Sequence, residues 1–166
     1  MQMLFKIQPY CFILYLLFIG VCLGATLASG AFSAPAIFQA SSIVPNLEIS
    51  VFQSGILMTS IFTKLNTLLN VLAIFILLYE ILALRISGTK LAPLLGFISV
   101  ILIFLFTMYY TPYVLEAQKL GEEAVANATF DAMHTQSVYV FKTLMASLCL
   151  LFIVRLLKAD NGYKDR

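Results

Sequence analysis

Four long apolar stretches, each closed off by a polar or proline-bearing segment, set the pattern of this chain. The first covers about 10–33, opening with CFILYLLFIGVCLG and passing into the small-residue run ATLASGAFSA. The others cover about 52–84, 91–113 and 131–157. Each exceeds the ~20 apolar residues a helix needs to cross a bilayer, the second by enough to protrude or tilt. Pro93 falls in the first turn of the third stretch, where its missing N–H costs little. Residues 34–53, with Pro35 and Pro45, read as a structured connection outside the bilayer core. The acidic segment EAQKLGEEAVANATFDAMH reads as a helical extension of the third stretch followed by a turn. The pattern predicts an all-α, antiparallel four-helix transmembrane bundle, a single membrane domain over 1–166.

Composition narrows the class. The chain is 61% hydrophobic and 11% charged, against about 25% charged for a soluble domain. That excludes an ordinary soluble globule and a disordered chain. A net charge of +2 without a basic stripe excludes a nucleic-acid module. Lys6 followed by an apolar run and small residues outlines a signal peptide, but the run outlasts the ~7–15 residues of such a leader, so it is read as an uncleaved span. Lys6, Arg85, Lys90, Arg155, Lys158, Lys164 and Arg166 fall on one side of the spans. Lys119 falls on the other, with Glu48, Glu116, Glu122, Glu123 and Asp131. The positive-inside rule then places both termini in the cytoplasm, and the location expected for such a chain is the cell inner (plasma) membrane.

Polar and small residues within the spans are the candidate features. Gly20, Gly24 and Ala28 recur every four residues, a small-xxx-small pattern for close helix packing within the chain or in a homodimer. Thr59, Thr63, Asn66 and Asn70 fall within about 60° of one another on a helix, beside a second stripe of Ser60, Lys64 and Thr67. Asparagine facing lipid leaves donors and acceptors unpaired, so the stripe faces protein or a wet cavity. It serves either interhelical hydrogen bonding or an outward-opening polar site. Lys142 is thirteen residues from Arg155, about 20 Å along the axis. If Arg155 marks the cytoplasmic boundary, Lys142 lies about 10 Å inside the outer one, a functional candidate unless it snorkels to water. Glu80 is expected to meet Arg85 or Lys90.

Signatures of catalysis are sparse. There is one histidine, His134, at the mouth of the fourth span, and the three cysteines form no CxxC. A catalytic metal site normally uses about three protein ligands. No nucleophile–base pair, phosphate loop or paired carboxylates occur in a span. No cofactor is expected, and a non-enzymatic role is favoured. Asn127-Ala128-Thr129 is a glycosylation sequon, relevant only in a eukaryotic secretory pathway.

Three motifs, GAFSAPAIF (30–38), SGILMTSIF (54–62) and FDAMHTQS (130–137), resemble the pattern of the transmembrane protein 205-like domain, a small four-span family of uncharacterised function. The resemblance implies that Gly30, Ala34, Pro35 and Phe38 end span one, Gly55 and Phe62 open span two, and His134 and Ser137 open span four. It implies fold and membrane location, and supplies no reaction. The layout is more distantly similar to copper-resistance D-type proteins and to four-span haem proteins, whose sites a single His carries poorly.

The expectation is a non-enzymatic membrane protein with a polar pocket at its non-cytoplasmic end. Thr59, Thr63, Asn66, Asn70, His134, Ser137 and Lys142 would line it, to bind or pass a small solute or metal. One alternative is a haem- or copper-binding redox protein using His134 with Met58 or a dimer mate. Another is a scaffold or subunit of a membrane complex. The partners this implies are the lipid bilayer and a membrane protein or second copy, with no nucleic acid.

Overall fold

The computed structural model describes residues 2–86 and 90–164, with side chains over 9–85 and 90–158. The side chains of Lys6, Lys164 and Arg166, used above for orientation, lie outside the described residues. The helices are α1 (Gln2–Leu27), α2 (Ala34–Phe38), α3 (Ala40–Ile43), α4 (Val51–Ile86), α5 (Leu91–Phe104), α6 (Thr111–Leu120), α7 (Glu122–Val125) and α8 (Ala128–Lys164). No strand occurs among the described residues. Four stretches are long and apolar enough to cross a membrane: Pro9–Phe38, Val51–Arg85, Leu91–Leu120 and Ala128–Lys158. The chain is thus a multi-pass membrane protein built as a four-helix bundle. Below, the end carrying Glu122 and Asp131 is called the acidic end, and that carrying Arg85 and Lys158 the basic end.

Helix in span one runs past residue 33, and span three continues into α6 as the expected helical extension, both by a shared device. Each passes through one widened π turn, Ala28–Ser33 in the first and Leu105–Tyr110 in the third, and then meets a proline at its second following position, Pro35 or Pro112. Proline lacks an N–H and its ring collides with the carbonyl four residues back. The π turn adds a residue ahead of it. The N–H of Ala34 then bonds the Ser29 carbonyl and that of Thr111 the Phe106 carbonyl, each five residues back. Pro35 therefore lies within the helical stretch Pro9–Phe38, and the connection to α4 begins after it.

Local chemistry sets the helix ends. Ser50 and Gln53 form a capping box before α4, Ser50 Oγ accepting from the Gln53 N–H at 3.1 Å and Gln53 Oε1 from the Ser50 N–H at 2.9 Å. Gly121 ends α6 with φ 107° and ψ −177°, a conformation essentially reserved for glycine. Asn127, the sequon residue, caps α8: its Oδ1 accepts from the Phe130 N–H at 2.9 Å.

The spans form a ring in which α1 packs on α4 and α8, and α5 packs on α4 and α8. Tyr15, Ile19 and Cys22 from α1, Leu65, Leu69, Leu72 and Ile76 from α4, Val100 and Ile103 from α5, and Leu144, Leu148 and Leu151 from α8 fill the centre. Their three- and four-residue spacing is that of one helix face. Large apolar side chains such as Leu17, Phe75, Ile101 and Leu150 point outward, as a lipid solvent permits.

The tightest side-chain contacts on glycine lie elsewhere than the Gly20–Gly24–Ala28 stripe. A Cβ on Gly20 would meet Phe152 at an ordinary 3.7 Å, and one on Gly24 would meet nothing within 4 Å. Ala28 is exposed. By contrast, a Cβ on Gly96 would come within 2.6 Å of Glu80 Cγ, and one on Gly30 within 2.9 Å of Phe141 Cε1.

Candidate functional site

The polar stripe of α4 is met by span three. Gln118 Nε2 donates to Thr59 Oγ1 at 3.0 Å, Asn66 Nδ2 donates to Thr111 Oγ1 at 2.8 Å, and Thr107 Oγ1 donates to Asn70 Oδ1 at 2.8 Å. Asn66 Oδ1 is buried without a hydrogen-bond partner. Thr63 faces outward and returns its hydroxyl to the Thr59 carbonyl at 2.9 Å. Of the two uses open to this stripe, interhelical bonding is therefore where Asn66 and Asn70 are engaged.

A cleft of about 810 Å³ opens at the acidic end, bounded by all four spans. Span one supplies Thr26, Leu27, Gly30, Ala31, Ala34 and Phe38, and α4 supplies Phe52, Gly55, Met58, Thr59 and Phe62. Span three supplies Phe106, Tyr110, Thr111, Val114 and Gln118, and α8 supplies Phe130, Asp131, His134, Ser137, Val138, Phe141, Lys142 and Met145. Its inner end rests on an aromatic cluster. Phe62 stands edge-on to Phe106 and Phe141 with centroids 5.7 and 5.2 Å apart, and Phe106 lies 5.1 Å from Phe141. Gly30 makes room for Phe141 at this level. At the mouth, Tyr113, Phe130 and His134 stack in a ladder with centroid spacings of 6.3 and 6.0 Å. Glu122 and Asp131 line the mouth as well.

Thr59, His134, Ser137 and Lys142 thus share one cleft, together with Gly30, Ala34, Phe38, Gly55 and Phe62. Thr63, Asn66, Asn70 and Pro35 do not line it. Span three covers the inner part of the α4 stripe, and the walls of the cleft are chiefly apolar. The Ser137 hydroxyl is turned to the His134 carbonyl at 2.7 Å. Met58 lines the same cleft as His134, but among the described residues no three His, Cys, Asp or Glu side chains converge to hold a metal ion. Cys11, Cys22 and Cys149 are unpaired thiols.

A second polar cluster, near the basic end, is one that sequence reasoning missed. Glu80 is 0% and Arg155 3% exposed. Arg155 grips Glu80 with two donors, Nε reaching Oε1 at 3.0 Å and a terminal guanidinium nitrogen meeting Oε2. Tyr15 donates its hydroxyl to Glu80 Oε1 at 2.6 Å. Tyr79 stacks on Tyr15 with centroids 4.0 Å apart, and the Arg155 guanidinium carbon lies 5.2 Å from the centre of its ring. Gly96 of α5 presses on the Glu80 stem, so all four spans converge here. Glu80 therefore meets Arg155, not Arg85 or Lys90, because its helix face turns into the bundle. The signal for it was the pairing of one acid and one base at similar depth in two spans. Arg155 in turn marks no water boundary. Counted from Lys158, sixteen residues away, Lys142 lies about 24 Å along the axis.

Comparison with curated proteins and with solved structures yields no match. The sequence profile of a family described as a domain of unknown function (DUF4149) matches residues 17–123. The match spans most of span one, the whole of spans two and three, and the first two residues of α7. It includes Gly30, Ala34, Pro35, Phe38, Gly55 and Phe62, and stops short of His134 and Ser137. With well over half its length matched, this four-span chain belongs to the DUF4149 family of domains of unknown function.

Proposed function

We propose that this chain is a non-enzymatic protein of the inner (plasma) membrane, both termini cytoplasmic, whose cleft binds or passes an amphipathic molecule at the non-cytoplasmic end. The clustering of motif residues around the cleft supports grouping it with the transmembrane protein 205-like proteins. The observation that carries the reading is the cleft flanked by spans one and four. α1 packs on α8, and beyond Leu27 the two spans are bridged by the Phe141 ring against Gly30 and flank a cleft of about 810 Å³. Ligand sites are commonly clefts of roughly 300–1,000 Å³ with mostly apolar walls and a few polar groups. Phe62, Phe106, Val138 and Met145 supply such walls, and Thr59, Gln118, His134 and Lys142 the polar groups. Asn66 and Asn70 are spent on span three, which turns the reading from a small polar solute toward a molecule with a substantial apolar part.

The test is extraction. Full-length protein is purified in a neutral mild detergent beside Gly55→Phe, whose ring would occupy the cleft from a position where a Cβ meets Gln118 at an ordinary 3.5 Å. Mass spectrometry of organic extracts is expected to show a species retained by the wild type and depleted in the variant. Matching extracts from two equally folded proteins would discard the proposal and leave a scaffold or subunit role.

A further inference from the structure

We propose that the occupant of the cleft is an anionic amphiphile, an acyl or alkyl chain ending in a carboxylate or phosphate, with its head held by Lys142. This rests on the reading of the cleft as a binding site. Lys142 is a cation within a membrane span, and it lines the cleft wall. It makes no ion pair among the described residues. The wall around it, Val138, Phe141 and Met145, offers the charge no compensation. Lys142 is exposed toward the open cleft, so water can solvate it when the cleft is empty, and among the cleft's described lining it is the lysine or arginine that an anionic head can pair with. Helical Cα–Cβ bonds tilt toward the N-terminus, and α8 begins at the acidic end, so the Lys142 stem is directed toward the mouth and away from the aromatic floor.

The other charges on the cleft decide the route. Asp131 lies eleven residues before Lys142, about 16 Å along the helix, too far to neutralise it. With Glu122 it gives the mouth an acidic character that repels an anion arriving from water. The gap between spans one and four is flanked instead by exposed Leu27, Ala31 and Val138. An amphiphile already in the bilayer enters there, chain first against Phe62 and Phe106, and its head meets Lys142 without crossing the acidic mouth.

The experiment uses the full chain in nanodiscs of zwitterionic lipid and a photoreactive diazirine fatty acid as probe. Labelling is read by intact mass and mapped by peptide fragmentation. Palmitate, phosphatidate, hexadecanol and hexadecyltrimethylammonium serve as competitors. The label is expected on cleft-wall peptides of α2, α4 and α8. An anionic competitor should remove it at least tenfold more effectively than hexadecanol or the cation. Competition by palmitate identifies a single-chain ligand and competition by phosphatidate a membrane phospholipid, and either supports the proposal. Lys142→Gln should lower labelling about tenfold, with Lys142→Arg close to wild type, which separates charge from folding. Equal competition by hexadecanol, or undiminished labelling of Lys142→Gln, overturns the anion assignment and leaves the cleft reading intact. Labelling outside the cleft that Gly55→Phe does not reduce overturns both.

Discussion

A carboxylate and a guanidinium inside a lipid-spanning bundle survive only by satisfying one another. Glu80 and Arg155 do so with two donor–acceptor contacts, and Tyr15 supplies a third donor to the carboxylate. Removing one member leaves a buried charge without compensation, whereas removing both leaves an apolar gap. Glu80→Leu or Arg155→Leu alone is therefore expected to cost about 3–5 kcal/mol. The double variant should fall well below the sum, and Tyr15→Phe should cost about 1.5–3 kcal/mol, the worth of a hydrogen bond to a charged group. Denaturant titration in a mild detergent checks the series, and additive losses would contradict the account. Packing around the pair gives a second prediction. A Cβ on Gly96 would press within 2.6 Å of Glu80 Cγ and 3.1 Å of Ile76 Cγ2, while one on Gly24 would touch nothing. Neither neighbour can retreat, since Glu80 is pinned and Ile76 is fully buried. Gly96→Ala should thus destabilise by about 1–3 kcal/mol, as overpacking does. Gly24→Ala should leave the same titration unchanged or slightly improved.

Within the helices, the two π turns that precede Pro35 and Pro112 govern where side chains point. Removing a π turn rotates everything beyond it by about 100°, the angular step of one residue. Thr111 secures the second turn twice, its N–H and its hydroxyl both bonding the Phe106 carbonyl, the hydroxyl at 3.0 Å. Pro112→Ala removes the reason for the widened turn, and α6 should relax to an uninterrupted helix. Gln118 would then swing away from Thr59. In a cysteine-free background, a short thiol cross-linker should join Thr59→Cys to Gln118→Cys in the parent and fail once Pro112→Ala is added. Retained cross-linking would show that the turn is held by Thr111 alone. These turns also mark how far the sequence could be read. Span existence follows from the apolar runs, and the polar stripe of α4 identifies a face that must find partners. The register of span three beyond Tyr110 does not follow, because a π turn leaves no hydropathy signature and shifts which residues meet Thr59 and Asn66. The partner of Glu80 was hidden for a related reason. Arg85 is nearer in sequence, and only the rotation of α4 into the bundle selects Arg155. The cleft was legible in part: the motif residues converge there, but its apolar walls come from positions that separately read as ordinary span.

At the scale of the whole molecule the bundle is asymmetric along its length. Toward the basic end, four spans close on one ionic cluster with Gly96 wedged beneath it. Toward the acidic end, the four spans bound an open cleft of about 810 Å³. About five turns of helix separate the cleft floor at Phe62 from Glu80, and Leu69, Leu72 and Ile76 between them are fully buried. Water entering from the acidic side should therefore stop at the aromatic floor. Cysteine accessibility reads this directly and tests orientation at once. In a background lacking the native thiols, Gly55→Cys sits in the cleft wall, where a Cβ makes no close contact. Lys90→Cys lies at the basic end between α4 and α5, and native Cys22, restored singly, is fully buried in the core. A membrane-impermeant maleimide added to intact cells is expected to label Gly55→Cys, to label Lys90→Cys only after the membrane is opened, and to spare Cys22 throughout. Loss of Gly55→Cys labelling in the presence of an anionic amphiphile would connect the open end to its occupant. The reverse pattern for the two engineered cysteines would invert the assigned orientation. Labelling of Cys22 from either side would mean that water passes the aromatic floor and that the buried layer below it opens, a property of a conduit and not of a closed-ended cleft.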